Sequence, residues 1–128
     1  MDKKLILVGA IFGMIAIILG AFGAHALKNV LTLEQLNTFE TGVKYQMYHA
    51  LFLLFLSTTQ KVSYKAKKII FYLVSFGVLF FSGSIYLLAT NSLTNFDFKI
   101  IGFITPIGGL LLIGAWFFVI VNFSNKKS

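Results

Sequence analysis

The sequence predicts an all-α fold: an integral membrane four-helix bundle with both termini cytoplasmic and an amphipathic N-terminal extension on the second helix. Three observations favour it. Apolar stretches occupy residues 5–24, 43–60, 69–89 and 100–121, each close to the roughly 20 residues that a helix needs to cross a bilayer. Only 12% of residues are charged, against about 25% in soluble domains. Lysines cluster beside alternate ends of the stretches.

Four crossings would use nearly all of the 128 residues, so we expect one transmembrane domain over residues 1–128 and no soluble catalytic domain. The net charge is +7. Its lysines flank apolar runs rather than a polar face, which favours membrane orientation over nucleic-acid binding. The absence of cysteine excludes disulfides, thiolate metal sites and cysteine nucleophiles. The expected location is a bacterial inner (plasma) membrane.

The orientation follows from the lysines, because lysine-rich segments stay in the cytoplasm. Eight of the eleven fall on one predicted side. These are Lys3, Lys4, Lys61, Lys65, Lys67, Lys68, Lys126 and Lys127. Lys28 and Lys99 fall on the other side, with Lys44 near it. We interpret the basic connection between the second and third stretches as a topology determinant; the alternative is recognition of lipid headgroups.

The first stretch carries small residues on one helical face. They are Gly9, Gly13, Ala16, Gly20 and Gly23. Small residues let membrane helices approach closely, so we expect helix packing there, or alternatively a groove for a lipid tail or prenyl chain. The stretch could also be a cleaved signal peptide, but it exceeds the usual apolar region of about 7–15 residues.

The second stretch begins with a helix-start signal. Thr32 and Gln35 have the spacing of a capping box, and apolar residues recur at helical spacing beyond it. One helix is therefore predicted over about residues 32–60.

This helix has a polar side. It comprises Gln35, Thr38, Gly42, Tyr45, Gln46, His49 and Gln60. Polar residues inside membranes normally face the bundle interior or a water-filled cavity. Tyr45, Gln46 and His49 are close enough in sequence to share hydrogen bonds. We favour a structural cluster; the alternative is a site for a lipid, a quinone or a proton.

Candidate ligand-binding residues are His25, Tyr45, Gln46 and His49. His25 would otherwise cap the last carbonyls of the first helix. The two histidines fall at different predicted depths, so paired haem or metal ligation is not expected, and no metal or cofactor is predicted. Ser82 has no adjacent base with which to act as a nucleophile. Pro106 is expected to kink the fourth helix.

The chain resembles a known family. Gly20-Ala21-Phe22-Gly23-Ala24-His25-Ala26-Leu27 is similar to the signature of the domain-of-unknown-function 423 family, also called uncharacterised protein family 0382. Residues 39–51, 81–86 and 105–109 resemble its later blocks, and we find no departure from the pattern. The resemblance implies a small four-span bacterial membrane protein. The family has no established biochemical role, so it supplies no catalytic residue.

These observations favour a non-enzymatic membrane protein, either an accessory component or an oligomer. The expected partners are membrane lipids and a second copy of the chain or another membrane protein, with no nucleic acid. The alternative is a binding or transport module around Tyr45, Gln46 and His49.

Overall fold

The structure is a computed structural model that describes residues 1–95 and 97–124, without the side chain of Phe98. Within these residues it is all-helical and contains no strand, which confirms the predicted all-α class. The α-helices are α1 (Asp2–His25), α2 (Leu33–Thr58), α3 (Tyr64–Val78), α4 (Ser84–Ala89) and α5 (Ile104–Ser124). A π-helical turn, Leu79–Gly83, joins α3 to α4. Short 3₁₀ turns occupy Leu27–Asn29, Asn91–Leu93 and Phe98–Ile101.

Three helical segments of the described chain are long and apolar enough to cross a membrane: Asp2–Asn29, Tyr64–Ala89 and Lys99–Ser124. Helix α2 is long enough but is not among them, because Lys44, Gln46 and His49 interrupt its apolar run. The predicted count of four spans is therefore not reproduced by length and composition alone. Lys126 and Lys127, which supported the cytoplasmic C-terminus, lie outside the described residues, as does Phe96.

Helix α2 begins at the predicted capping box. The backbone N–H of Gln35 donates to Thr32 Oγ1 at 3.1 Å, and the Thr32 N–H donates to Gln35 Oε1 at 2.9 Å. Two backbone donors that a helix start leaves without partners are thereby satisfied. The prediction of one helix over about residues 32–60 is confirmed by the observed Leu33–Thr58.

Helices α1 and α2 pack antiparallel along their length. Gly23, near the end of α1, lies against Phe39, and Gly9, near its start, lies against Ala50 and Leu54. A Cβ added to Gly9 would stand 3.0 Å from the carbonyl oxygen of Ala50, so a larger residue would push the backbones apart. The other members of the small-residue face also lie at this interface or are buried: Gly13, Ala16 and Gly20.

The start of α3 lies beside the start of α1. Lys67 Nζ forms an ion pair with Asp2 Oδ1 at 2.8 Å. At the other end of the molecule, a Cβ on Gly42 of α2 would meet Ile85 and Tyr86 of α4. The segment from α3 to α4 therefore runs antiparallel to α2 and parallel to α1.

Helix α5 packs on α3 and on the π-helical turn. A Cβ on Gly77 would lie 2.6 Å from Leu112 Cδ2. A Cβ on Gly108 would lie 2.3 Å from the backbone nitrogen of Phe81 and 2.7 Å from the carbonyl carbon of Phe80. Only glycine fits at position 108, because the obstructing atoms belong to backbone.

The kink expected at Pro106 stays a prediction, but the structure changes where the proline lies in the helix. Helix α5 begins at Ile104, which puts Pro106 in its first turn. Backbone N–H groups in a first turn have no intrahelical acceptor, so proline removes no helical hydrogen bond there. The backbone before Ile104 forms a turn and a 3₁₀ segment.

Apolar side chains both fill the interior and cover the outside. Leu5, Leu53, Ile70 and Val74 are completely buried where α1, α2 and α3 meet. Large apolar side chains also point outward along the helices, including Ile17, Phe55, Leu110 and Phe117. Such extensive exposed apolar surface is typical of a protein that sits in a membrane.

Replacing Gly108 with alanine should destabilise the protein by about 1–3 kcal/mol, the usual cost of overpacking. The added methyl group would collide with the backbone of Phe80 and Phe81. Thermal unfolding of the purified protein in detergent measures the effect. Gly114→Ala is the matched control, since a Cβ there meets nothing within 4 Å. Equal melting temperatures for the two variants would contradict the close approach of α5 to the π-helical turn.

Candidate functional site

His49 is buried in α2, with 4% of its surface exposed. The indole Nε1–H of Trp116 in α5 donates to His49 Nε2 at 3.0 Å. His49 Nδ1 lies 2.6 Å from the backbone carbonyl oxygen of Tyr45. An indole N–H only donates and a carbonyl oxygen only accepts. The two contacts together therefore require a neutral imidazole that carries its proton on Nδ1.

Both ring nitrogens of His49 are engaged in this arrangement. The nitrogen lone pair that a metal or a proton would use already accepts from Trp116. Aromatic side chains pack around the pair: the rings of Phe52 and Trp116 stand edge to face with centroids 4.3 Å apart. A ligand that bonds to His49 Nε2 would have to displace the indole.

Gln46 connects three helices. Its Nε2 donates to the backbone carbonyl of Phe12 in α1 at 2.8 Å, and its Oε1 accepts from the hydroxyl of Tyr86 in α4 at 2.7 Å. The side chain is 4% exposed. Sequence spacing placed Gln46 beside His49, but the structure directs the two side chains to different neighbours.

Two serines of the π-helical turn and α4 also bond to neighbouring helices. The Ser82 hydroxyl donates to the carbonyl oxygen of Gly42 at 2.7 Å. The hydroxyls of Ser84 and Thr105 hydrogen-bond to each other. In contrast, the buried Ser75 Oγ and Asn122 Oδ1 have no hydrogen-bond partner within the described part of the chain.

The structure does not bring Tyr45 into one cluster with Gln46 and His49. Its side chain is 42% exposed, and its ring packs on Phe81 and Tyr48, with centroids 5.2 Å and 5.5 Å away. Its contribution to the His49 arrangement is the backbone carbonyl, which any residue at this position would supply.

His25 is not brought to His49 either. It is the last residue of α1 and is exposed. Gly23, two residues before it, lies against Phe39 of α2. Phe39 precedes His49 by ten residues, or about 15 Å at the helical rise. Across residues 1–95 and 97–124, no group of three or more histidine or acidic side chains could hold a metal ion. Ligand binding at His25, Tyr45, Gln46 and His49 stays a prediction.

Sequence reasoning missed Trp116 and Tyr86 as the partners of the α2 polar residues. One signal was available. The chain has a single tryptophan, and an indole N–H or a phenol hydroxyl within an apolar stretch needs an acceptor. What the sequence could not indicate is which acceptor each would find.

Two grooves border these side chains. A groove of about 310 Å³ lies between α2 and α5. Its walls are almost entirely apolar and include Tyr48, Phe52, Phe55, Trp116, Val119 and Phe123. A second groove, of about 240 Å³, reaches Gln46 and Tyr86 between apolar side chains of α1 and the π-helical turn.

Comparison with known proteins places the chain in a family. The family model described as "Protein of unknown function (DUF423)" matches residues 19–109. A UPF0382 membrane protein of Staphylococcus saprophyticus is 40% identical, over 94% of this chain and 96% of its own length. UPF0382 membrane protein YwdK of Bacillus subtilis is 37% identical, over 93% and 94% of the two chains.

A Gram-negative relative is similar as well. UPF0382 inner membrane protein YgdD of Escherichia coli is 32% identical, over 98% of this chain and 93% of its own length. No solved structure matches the fold. The extent of these matches, together with the apolar helices, shows that the chain belongs to the DUF423 family of membrane proteins, whose relatives carry the name UPF0382.

Proposed function

We propose that the chain is a four-crossing protein of the bacterial plasma membrane, with both termini cytoplasmic, and that it serves as a structural or accessory component rather than as an enzyme. The observation that supports this most strongly is the use made of its buried polar side chains. Gln46, His49 and Ser82 each form a hydrogen bond to another helical segment, so their polar atoms hold the fold together.

The packing of α2 supports four crossings despite its lower hydropathy. Helix α2 lies against α1 from Phe39, beside Gly23, to Leu54, beside Gly9. A membrane that holds this length of α1 would therefore surround α2 as well. Gln46 and His49 are tolerable at that depth because they face inward and are hydrogen-bonded.

The charge distribution supports the orientation. The ion pair between Asp2 and Lys67 places the lysine-rich start of α1 beside the lysine-rich start of α3. Lysine-rich ends stay in the cytoplasm, so this end of the protein would lie on the cytoplasmic side of the membrane, together with the connection from α2 to α3.

A catalytic role lacks a suitable pair of groups among the described side chains. Ser82 donates its hydroxyl proton to a backbone carbonyl, and the imidazole of His49 is bonded at both nitrogens. An activated serine would need a base within hydrogen-bonding reach. The outward apolar side chains of α1 and α5 would instead meet lipid, another copy of the chain or a membrane protein partner.

One observation favours a second candidate, a module that binds a lipid or a quinone. The groove of about 240 Å³ reaches Gln46 and Tyr86, so an apolar ligand could place a polar group beside them. The Gln46 amide has a second N–H beyond the one bonded to Phe12. A ligand carbonyl there would gain a donor without disturbing His49.

Cysteine labelling tests the topology. The chain contains no cysteine, so single cysteines can be introduced at Asn29, between α1 and α2, and at Gln60, between α2 and α3. The experiment uses intact cells whose envelope outside the plasma membrane lets the reagent through. Four crossings with cytoplasmic termini predict that a membrane-impermeant maleimide then labels Asn29→Cys only. Gln60→Cys should label after lysis. Labelling of both positions in intact cells would show that α2 does not cross.

The structural role of His49 is tested by Trp116→Phe, which removes the indole N–H and leaves His49 Nε2 without its donor. A double-mutant cycle with His49→Phe should give a coupling near the average of about 0.6 kcal/mol for hydrogen bonds between membrane helices. Unfolding in mixed detergent measures it. Tyr48→Phe, a change on the exposed side of α2, is the control. Additive effects would mean that the Trp116–His49 bond does not stabilise the protein.

Native mass spectrometry of gently extracted protein distinguishes the two candidate functions. A structural or oligomer-forming component should appear as an assembly of defined stoichiometry, without a small molecule whose retention depends on Gln46. A binding module should retain a ligand mass that is lost in Gln46→Leu and kept in Thr41→Val, a change elsewhere on α2. A monomer with no ligand would count against both.

A further inference from the structure

One end of the molecule concentrates positive charge. The ion pair between Lys67 and Asp2 brings together segments that lie far apart in sequence: the first turn of α1, the connection from α2 to α3, and the first turns of α3. We call this the basic end. Its charged side chains are Lys3, Lys4, Lys61, Lys65, Lys67, Lys68 and Asp2. Among the described residues, this end carries six lysines and one carboxylate.

The other end has no such excess. The charged residues in or near it are Lys28, Lys44, Lys99, Glu34, Glu40 and Asp97. Positive and negative groups are equal in number there, within the described residues. The positive charge of the described chain is therefore a property of one end and not of the whole surface.

A pocket of about 380 Å³ opens at the basic end. It is lined by Met1, Asp2, Lys3, Val62, Tyr64 and Lys67, so cationic groups and apolar side chains share its walls. Lys67 is the unusual member, because only 6% of its surface is exposed. Lysine is almost never buried without a partner.

Among the residues that the structure describes, the partner of Lys67 satisfies only part of its ammonium group. Asp2 accepts one hydrogen bond at 2.8 Å, whereas a lysine ammonium carries three donors. Asp2 thus fixes the position of the ammonium and leaves donors for a second anion. Tyr64 stands beside it with 65% of its surface exposed, and tyrosine is enriched at the membrane–water interface.

We propose that this pocket binds the headgroup phosphate of an anionic phospholipid from the adjacent leaflet. Lys67 and Lys3 donate to the phosphate oxygens, the surrounding lysines add long-range attraction, and Val62 and Tyr64 contact the start of the acyl chains. A zwitterionic lipid is disfavoured because its ammonium group meets the same lysines. The assignment to the cytoplasmic leaflet rests on the proposed orientation; the binding itself does not.

The test is native mass spectrometry of the purified full-length protein, titrated in detergent with phosphatidylglycerol or phosphatidylcholine. Phosphatidylglycerol should bind at lower concentration. Each lysine near an anionic lipid surface contributes about 1 kcal/mol, or about fivefold in affinity, so Lys3→Gln and Lys67→Gln should each weaken phosphatidylglycerol binding about fivefold. Lys99→Gln, an exposed lysine in the connection before α5, is the matched control and should change nothing.

Asp2→Asn separates lipid binding from a purely structural role of the ion pair. It removes the competing carboxylate and should tighten phosphatidylglycerol binding, whereas general damage to this end would weaken it. Equal affinity for both lipids, equal loss in Lys67→Gln and Lys99→Gln, or weaker binding in Asp2→Asn would each overturn the proposal. So would displacement of the lipid by millimolar glycerol phosphate, since the pocket would then recognise free phosphate. Cysteine labelling tests the orientation independently, so failure of the proposed topology can be distinguished from failure of lipid binding at the basic end.

Discussion

The structure depends on one constraint: a polar side chain buried among apolar helices has to find its hydrogen-bond partner within the protein. Helix α2 carries two such side chains, and each bonds to different neighbours. Gln46 reaches the backbone of Phe12 in α1 and the hydroxyl of Tyr86 in α4, and His49 accepts from Trp116 in α5. The helix that is least apolar is therefore bonded to each of the other three helical layers.

Those hydrogen bonds require the helices to be close, and glycine makes this possible. The carbonyl of Phe12 comes within 2.8 Å of Gln46 Nε2 because Gly9 and Gly13 allow α2 to approach that part of α1. A larger side chain at Gly9 would meet the backbone of α2 first. The small-residue face and the polar side of α2 thus act together: the first sets the distance that the second needs.

The sequence predicted hydrogen bonds between residues that are close in the chain, and it did not predict those between residues that are far apart. The capping box at Thr32 and Gln35 is local and could be read directly. The spacing of Tyr45, Gln46 and His49 suggested one cluster. Their side chains separate because Tyr86 and Trp116, 40 and 67 residues away from their partners, compete for Gln46 and His49.

The start of the last helix shows a second limit. Hydropathy rises at residue 100, and this apolar run placed Pro106 inside a helix, where it would cause a kink. Apolar residues can also form a turn and a 3₁₀ segment, as they do before Ile104. Hydropathy reports burial in lipid and not hydrogen bonding, so it located the apolar stretch, which agrees with the helical segment Lys99–Ser124, but not the residue at which α-helical hydrogen bonding begins. For α2 the same measure gave a low value because it counts the exposed Lys44 together with Gln46 and His49, whose side chains are buried against other helices.

The contact between α2 and α5 is where a structural and a binding role differ most. Helix α5 packs chiefly on α3 and the π-helical turn, with glycine at the closest approach. Toward α2 it extends the large side chain of Trp116, and a groove of about 310 Å³ remains beside it. The groove is apolar, so in the membrane a lipid tail can fill it without competing for any hydrogen bond. A polar ligand finds few hydrogen-bonding groups in its lining. The geometry therefore suits an apolar occupant of this groove, and a binding role for His49 stays a prediction.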